Sequence, residues 1–571
     1  LYEGAEPDAR DEGEVQDAWA LEEKKIEKAK GYNFLKETKR YIPSTRKRLR
    51  MLRRSESEPP TADQKSLKEI IGGYYGETVW KKRVMSREDL RLRKEWLENY
   101  TNRIATTPRR VEGHNLYRAI IEARSTSTGP DGIPIEAYKL LVDIVVPLLL
   151  DKARDLEEEH FEPGDFNESM LTLIPKSNSG LIVDTRPISI NNFDNRMIAK
   201  ALVYCISDSV DEFIGDEQQL FIRGRQMSRH ILDLNKLYYT AVNDEEQFYI
   251  LFMDTAKAFD SIDHDFIFEV LEKQGFPEWF VVTVKNLMRE VITYPSILTE
   301  KSLRIRVTRG VKQGCPLSPL LFILVYDVLI RALQDSELQL KVKAAADDVA
   351  LASSSFLDLL SATKVVEDYR RISGLGLNQN KTVVLSSLPP CASEEEQIKN
   401  SPWPEMKMVA EQKYLGIVFG REMTWEDMYE PVMQKAEERG VNLKKVLTSL
   451  QLHKKVALFN TYIASLFSFV TKFFVAPNSI LKRYRKLVRD LVIPYGGKAF
   501  SYALLLSKSP LIGLKQPLRD LWAMNIKELT LQRDFNLIQS GADVEQWIWS
   551  KSMTIKAVSY THLTLPTIYS V

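Results

Sequence analysis

The chain has 571 residues and 44% hydrophobic content, enough for several buried cores, and at ~100 to 200 residues per domain it divides into roughly three to five units. Lys and Arg number 79 against 78 Asp and Glu, a net charge of +1, so whole-molecule charge points to no partner and local charge must be read instead. Three scattered cysteines, Cys205, Cys315 and Cys391, with no CxxC, exclude a disulfide framework and a zinc site, and no apolar run nears the ~18 residues that span a bilayer; the expectation is a soluble intracellular chain with no membrane partner.

In chain order, residues 1–110 read as a charged, helical N-terminal extension. It opens acidic, and at Leu1 rather than Met, as a fragment would. Its basic stretch KETKRYIPSTRKRLRMLRR (36–54) precedes a SESEPPTAD linker, and is either a solvated helix face or a nucleic-acid or nuclear-localisation contact. Residues 111–246 alternate amphipathic segments with the turn signals TGPDGIP and FEPGDF, a mixed α and β pattern without an internal repeat. QFYILFMD (247–254) is a short apolar run ending in an acid, the pattern of a buried strand with a carboxylate at its tip. LRIRVTRGV alternates as a strand does, and LSPLLFILVYDVLIRALQ follows as an apolar helix. After residue 420 the chain turns helical and basic. Between Arg439 and Phe500 stand twelve Lys and Arg, among them Arg483, Arg485 and Lys486, against one acid, Asp490. Phe459, Tyr462, Phe467, Phe469, Phe473, Phe474 and Tyr484 are interleaved with them. Such a module is either a helical bundle with a basic exterior or a surface tracking phosphates.

Residues 344–353 read AAADDVALAS. An isolated Asp-Asp is usually a polar turn or a cap, and its meaning depends on what else the fold brings to it. Asp254 at one strand tip, with Asp347 and Asp348 about ninety residues later, would form an all-oxygen site suited to Mg²⁺. Two such ions ~4 Å apart serve in-line phosphoryl transfer, in a polymerase or a nuclease. LIPKSNSGLIVDTRPIS adds Lys176 and Arg186 around a polar turn, cations able to grip a triphosphate. GVKQGCPLSPLLF sets Gln313 and Gly314 on a tight turn, where the absent side chain lets backbone approach a nucleotide.

With these residues in place the chain resembles reverse transcriptases of the non-LTR (LINE-type) retrotransposon class. The blocks TGPDGIPIEAYK, LIPK, RPISINNFDNRMIAKAL, QQLFIRGRQ, FMDTAKAFDSIDHD, GVKQGCPLSPLLF, AADDVAL, GLGLNQNKT and YLGIVFG occur in that family's order, from about Ser127 to Gly420, with a thumb-like extension to about 535. The resemblance implies an α+β right-hand polymerase with a ferredoxin-like palm. Fingers and the start of the palm would cover 111–246, the palm 247–420 (a reverse transcriptase domain at about 155–420), a basic thumb 421–535 and a tail 536–571.

It further implies Asp254, Asp347 and Asp348 as the metal triad for two Mg²⁺, with Mn²⁺ as the alternative. Lys176 and Arg186 become triphosphate contacts, Phe259 a steric gate beneath the sugar, and Gln313 and Gly314 the nucleotide and template side. Lys381 becomes a proton donor to pyrophosphate, Tyr414, Leu415 and Gly416 a primer grip, and Arg483, Arg485 and Lys486 nucleic-acid contacts. The implied partners are an RNA template, a DNA primer or nicked target DNA, and dNTPs, with nuclear action for target-primed synthesis. The alternatives are a group II intron-type enzyme and a non-catalytic RNA-binding scaffold.

The chain departs from the family pattern at Ala345, where the family usually has Phe or Tyr two residues before the aspartate pair. No endonuclease or RNase H pattern is read from the sequence. VSYTHLTLPTIYSV, at the C-terminal end, reads either as translated sequencing-adapter DNA or as an edge strand.

Overall fold

The computed structural model describes residues 49–299, 301–493, 502–506, 514 and 517–540. The acidic opening, residues 36–48 of the basic stretch and the VSYTHLTLPTIYSV segment lie outside the described residues. Two compact units divide at residues 422 and 423. The strands of the first are, in chain order, Glu168–Pro175 (β1), Thr185–Asn191 (β2), Tyr249–Ala256 (β3), Ile292–Pro295 (β4), Ile305–Arg306 (β5), Lys341–Ala345 (β6), Asp348–Ser353 (β7), Gly376–Leu377 (β8), Val383–Ser386 (β9), Lys407–Val409 (β10), Glu411–Tyr414 (β11) and Ile417–Gly420 (β12).

The first five residues of β3, YILFM, are buried without alternation, as a strand covered on both faces must be. It lies accordingly in the middle of a sheet ordered β10-β9-β3-β7-β6, antiparallel to both β7 and β9. Helix Ser318–Asp335 separates β3 from β6 in the chain, and helix Phe356–Ser373 separates β7 from β9. Two strand-helix-strand units interleaved in the order β9-β3-β7-β6 are a ferredoxin-like palm. Helix Ser318–Asp335 is apolar nearly all round and buries 14 of its residues, as a helix enclosed on every side does. A second sheet, β2-β1-β4-β5, stands beside the palm. Among the described residues no helix is long and apolar enough to cross a membrane.

Residues 49–110 do not stand apart as an extension; they fold into the first unit. Leu52, Leu67, Ile70, Ile71, Tyr75 and Trp80 share a core with Leu171 and Leu173 of β1 and Ile305 of β5. Helix Gln64–Ile71 begins where the Asp63 carboxylate accepts from the Ser66 amide at 2.8 Å, a cap typically worth ~1 kcal/mol. Further on, Arg83 donates to Asp263 through Nε at 3.0 Å and Nη2 at 2.7 Å. Arg93 and Arg309 approach the same carboxylate at 3.4 and 3.6 Å. One buried acid thus binds the N-terminal segment to the palm. The Arg93 Nε–H goes to the Ile372 carbonyl at 2.9 Å, and Arg309 donates to the Ser261 and Gly374 carbonyls. At Gly374, φ is +81° and an added Cβ would lie 2.7 Å from the Asp263 carboxylate, so the cluster closes only over glycine.

In the second unit, helix Trp425–Leu447 starts on a Thr424 capping box, and helix Asn478–Leu491 buries Ile480, Leu481, Tyr484, Val488 and Leu491. Of the aromatics interleaved with its basic residues, Phe459, Phe467, Phe473, Phe474 and Tyr484 are core rather than a stacking platform, with Phe459 and Phe467 edge to face on Tyr484, while Tyr462 and Phe469 are half-buried.

Asp263→Ala should strand three guanidinium groups and lower stability by about 3 to 5 kcal/mol, read as a fall in the urea midpoint. A loss below ~1 kcal/mol, no more than a typical exposed ion pair contributes, would show that the carbonyl acceptors alone hold the arginines.

Candidate active site

Asp254 and Asp348 are direct cross-strand partners at the end of the β3–β7 ladder. Both amide groups of Asp254 are fixed: its N–H reaches Thr382 Oγ1 at 3.3 Å and its carbonyl accepts from the Asn378 amide at 2.8 Å. Asp347 lies in the two-residue turn between β6 and β7, and its carbonyl accepts from Thr255 Oγ1 at 3.3 Å. The turn's other residue, Ala346, takes φ +57°, a left-handed conformation costly for a residue with a Cβ. It is held there by the buried Gln218, whose Oε1 accepts from the Ala346 amide at 2.9 Å. Gln218 is not among the site residues expected from the sequence; its signal there is a pair of adjacent glutamines beside apolar residues in QQLF.

Three carboxylates on neighbouring backbone make one electrostatic site. Lost hydration, then the charge of Asp347 and that of Asp254, push Asp348 up to about 6, although the residue keeps an open side to solvent. Lost hydration and Asp254 also raise Asp347, against which Lys176 and Arg186 act. Both cations are exposed and stand at the far end of the β1–β2 hairpin, where Ile174 pairs with Arg186. Lys381, also exposed, lies on a 3₁₀ turn directly after the Asn378 that holds Asp254; Asp184 is lowered first by the Ser179 hydroxyl, then by that of Ser177 and by the charges of Lys176 and Lys381. The fold therefore brings Lys176 and Arg186 to act on Asp347, and Lys381 to act with Lys176 on Asp184. Among the described residues no three acidic, His or Cys side chains close on a point as a ready-made cage for an ion. An all-oxygen set in which burial and neighbouring carboxylates raise Asp347 and Asp348 nevertheless suits a divalent cation.

Phe259 is half-buried. It stacks on Phe322 with ring centroids 4.6 Å apart and meets Phe221 edge-on, so one face of the ring is packed. Gln313 and Gly314 differ from expectation. The Gln313 side chain turns to the buried Asp260, donating through Nε2 at 2.9 Å. The close approach at Gly314, φ +119°, is to backbone: an added Cβ would lie 2.4 Å from the Ser189 carbonyl of β2.

Tyr414, Leu415 and Gly416 form the tight β11–β12 hairpin, with positive φ at Leu415 (+46°) and Gly416 (+90°). Two successive positive φ values suit a type I′ turn. Its Tyr414 hydroxyl donates toward the Lys343 carbonyl at 3.4 Å and the Asp348 carbonyl at 3.3 Å, while the ring packs on Phe252. Ala345, paired across the ladder with Asp348, is 1% exposed. The position is thus buried, and the alanine faces no open solvent.

Arg483, in the second unit, corrects the sequence reading of a phosphate contact. It donates to Glu437 through Nε at 3.0 Å and Nη2 at 2.8 Å, and to Glu430 at 2.5 Å, joining helix Asn478–Leu491 to helix Trp425–Leu447. The exposed cations of that helix are Lys482, Arg485, Lys486 and Arg489. They recur at the helical period on the side opposite its buried residues and line a concavity of about 770 Å³.

Residues 174–419 match the family described as reverse transcriptase (RNA-dependent DNA polymerase). Similar proteins include the Transposon TX1 uncharacterized 149 kDa protein of Xenopus laevis, 27% identical over 317 residues, 52% of this chain and 23% of that one. The retrovirus-related Pol polyprotein from type-1 retrotransposable element R2 of Nasonia vitripennis is 25% identical over 411 residues, 67% of this chain and 38% of its own. The one from type-2 retrotransposable element R2DM of Drosophila melanogaster is 32% identical over 320 residues, 53% of this chain and 29% of its own. This chain therefore spans less than two fifths of the length of each of these relatives.

Ala345→Phe should overpack this buried position. The expected loss is about 1 to 3 kcal/mol in denaturant unfolding, with slower primer extension. A gain in extension would instead mark Ala345 as a lesion.

Proposed function

We propose that this chain, which carries a reverse transcriptase domain of the non-LTR retrotransposon type, extends a DNA primer on an RNA template. The primer 3′-hydroxyl attacks the α-phosphorus of a dNTP, a P–O bond forms, and the bond to the leaving pyrophosphate breaks. Reverse transcription depends on divalent metal in general; Mg²⁺, with Mn²⁺ as the alternative, is the ion proposed. When bound, two such ions offset charge on the attacking and leaving oxygens. Asp254, Asp347 and Asp348 would hold them. Mg²⁺ is commonly bound by one or two carboxylates completed by substrate phosphates rather than by an all-protein cage, in keeping with a carboxylate group that does not close on itself.

Lys176 and Arg186 would bind the β- and γ-phosphates, Arg186 through two oxygens at once. Phe259, braced from behind by Phe322, would present its ring to C2′ and exclude a 2′-hydroxyl. Lys381 would give its proton to the departing pyrophosphate. Tyr414, Leu415 and Gly416 would hold the primer end against β7. The observation that best supports this reading is the pairing of Asp254 with Asp348, with Lys176 and Arg186 acting on Asp347 between them. Copying of element RNA from a nicked chromosomal target is the role that fits, and places the work in the nucleus.

Primer extension on poly(rA) with oligo(dT), dTTP and Mg²⁺ tests the reaction. Asp347→Asn should lower kcat by ~100-fold or more and leave template binding close to wild type, because the missing charge acts on the transition state rather than on the bound template. Near wild-type extension by that variant would sink the mechanism. For the second unit, changing Lys482, Lys486 and Arg489 together to Gln should flatten the salt dependence of heteroduplex binding, by up to ~0.9 for each phosphate no longer neutralised. An unchanged slope would return that helix face to a plain solvated exterior.

A further inference from the structure

Lys257 has no part in the assignments above, although it follows Asp254 by three residues and precedes Phe259 by two. It stands at the N-cap of the short helix Ala258–Ser261 with φ +50°. A left-handed lysine is strained, and such strain persists only where the surroundings over-determine it.

Here the surroundings do so. The Lys257 ammonium donates to the Thr185 carbonyl at 3.0 Å. It lies 5.4 and 5.7 Å from the ring centres of Tyr74 and Tyr75, and the Tyr75 hydroxyl pairs with Thr185 Oγ1 at 2.8 Å. Thr185 opens β2, and Arg186 is the next residue. A second tether runs from the same turn. Asp260 accepts from Gln313 Nε2 at 2.9 Å, and the Gln313 carbonyl accepts from the Ser189 amide at 2.7 Å. The turn that carries Phe259 is thus fastened to β2 at two points that bracket Arg186. Asp260, Lys176 and Asp184 are the charged groups that act on the Lys257 ammonium, and the tyrosines against it precede the matched region 174–419.

We propose that Lys257 is a positioning residue for the incoming nucleotide: its bond to the Thr185 carbonyl sets the distance from Arg186 to the Asp254–Phe259 turn, so that triphosphate and sugar of one dNTP are engaged together. This rests on the reverse transcriptase reading. Without the tether the carboxylates stay where they are, held by the β3–β7 ladder, while β2 is released relative to the ring of Phe259. The consequence is weaker nucleotide capture and weaker sugar discrimination, with the chemical step little altered.

The test compares the full chain with Lys257→Met and Lys257→Arg in primer extension on poly(rA) and oligo(dT), varying dTTP and UTP. Met should raise KM for dTTP about tenfold with kcat within about threefold, the pattern of lost ground-state binding, and should raise UTP use relative to dTTP. Arg, which can donate to the same carbonyl, should recover most of both. Wild-type KM and discrimination in the Met variant, a fall confined to kcat, or an Arg variant as impaired as Met would each overturn the proposal. Protection by dTTP and Mg²⁺ against thermal unfolding reads the tether without catalysis. Wild type should gain more from dTTP than Met, and equal gains, or none in either, overturn the proposal. Absence of extension by wild type together with a dTTP effect that depends on Lys257 would fault the reaction while leaving the positioning role standing.

Discussion

Asp254 faces Asp348 across the last rung of two strands that are otherwise apolar, and the first unit is arranged around that rung. Like charges directly opposite one another destabilise a sheet, and here a third carboxylate, Asp347, stands in the adjoining turn. Buried neighbours on both sides of β3 fix the register, because a slip of one residue would turn Phe252 and Met253 to the wrong faces. The stability lost at the rung is offset by burial along the rest of β3 and β7. What remains is a concentration of negative charge with one open side, next to exposed cations from a different sheet. Protonation of one carboxylate or a bound cation would relieve it.

The turn beside that rung shows how a backbone outlier is sustained. Ala346 at positive φ would relax if it could, and the Gln218 amide oxygen, itself buried, keeps it in place. Backbone bonds from Gln219 to the Ala344 carbonyl and from Ala344 to the Glu217 carbonyl cover the outer edge of β6. The segment 217–219 therefore does two things: it shields an edge strand and it fixes the direction in which Asp347 leaves the sheet.

Asp263 plays the corresponding part away from the site. Three arginines, from residues 83, 93 and 309, meet on it, two of them from a segment that precedes the region matching known reverse transcriptases. Tyr75 and Trp80 of the same segment pack against β1 and β5, and the Tyr75 hydroxyl reaches the first residue of β2. The cations beside the carboxylates thus rest partly on residues outside the recognisable domain.

By itself the sequence determined the mixed α and β polymerase class, the buried strand that carries Asp254, the adjacent Asp347 and Asp348 and the apolar helix that precedes them. All of these are carried by local pattern: an unbroken apolar run, a polar interruption, and blocks in a fixed order. Tertiary structure alone decided which partner each polar side chain would find. Gln313, read toward a nucleotide, bonds instead to Asp260, 53 residues away. Arg483, one of several cations in a basic stretch, is drawn to Glu430 and Glu437 on another helix, whereas Lys482 and Lys486 stay exposed. Ala345, where the family pattern has an aromatic, is closed off from solvent by the packed fold around it. Residues 49–110, charge-dense as text, enter the fold because their few apolar side chains complete a core whose other half lies more than a hundred residues on. Periodicity and turn chemistry act between neighbours in the chain and can be read there. A hydrogen-bond partner or a filled void depends on which distant surfaces meet, and that is settled only when the chain has folded.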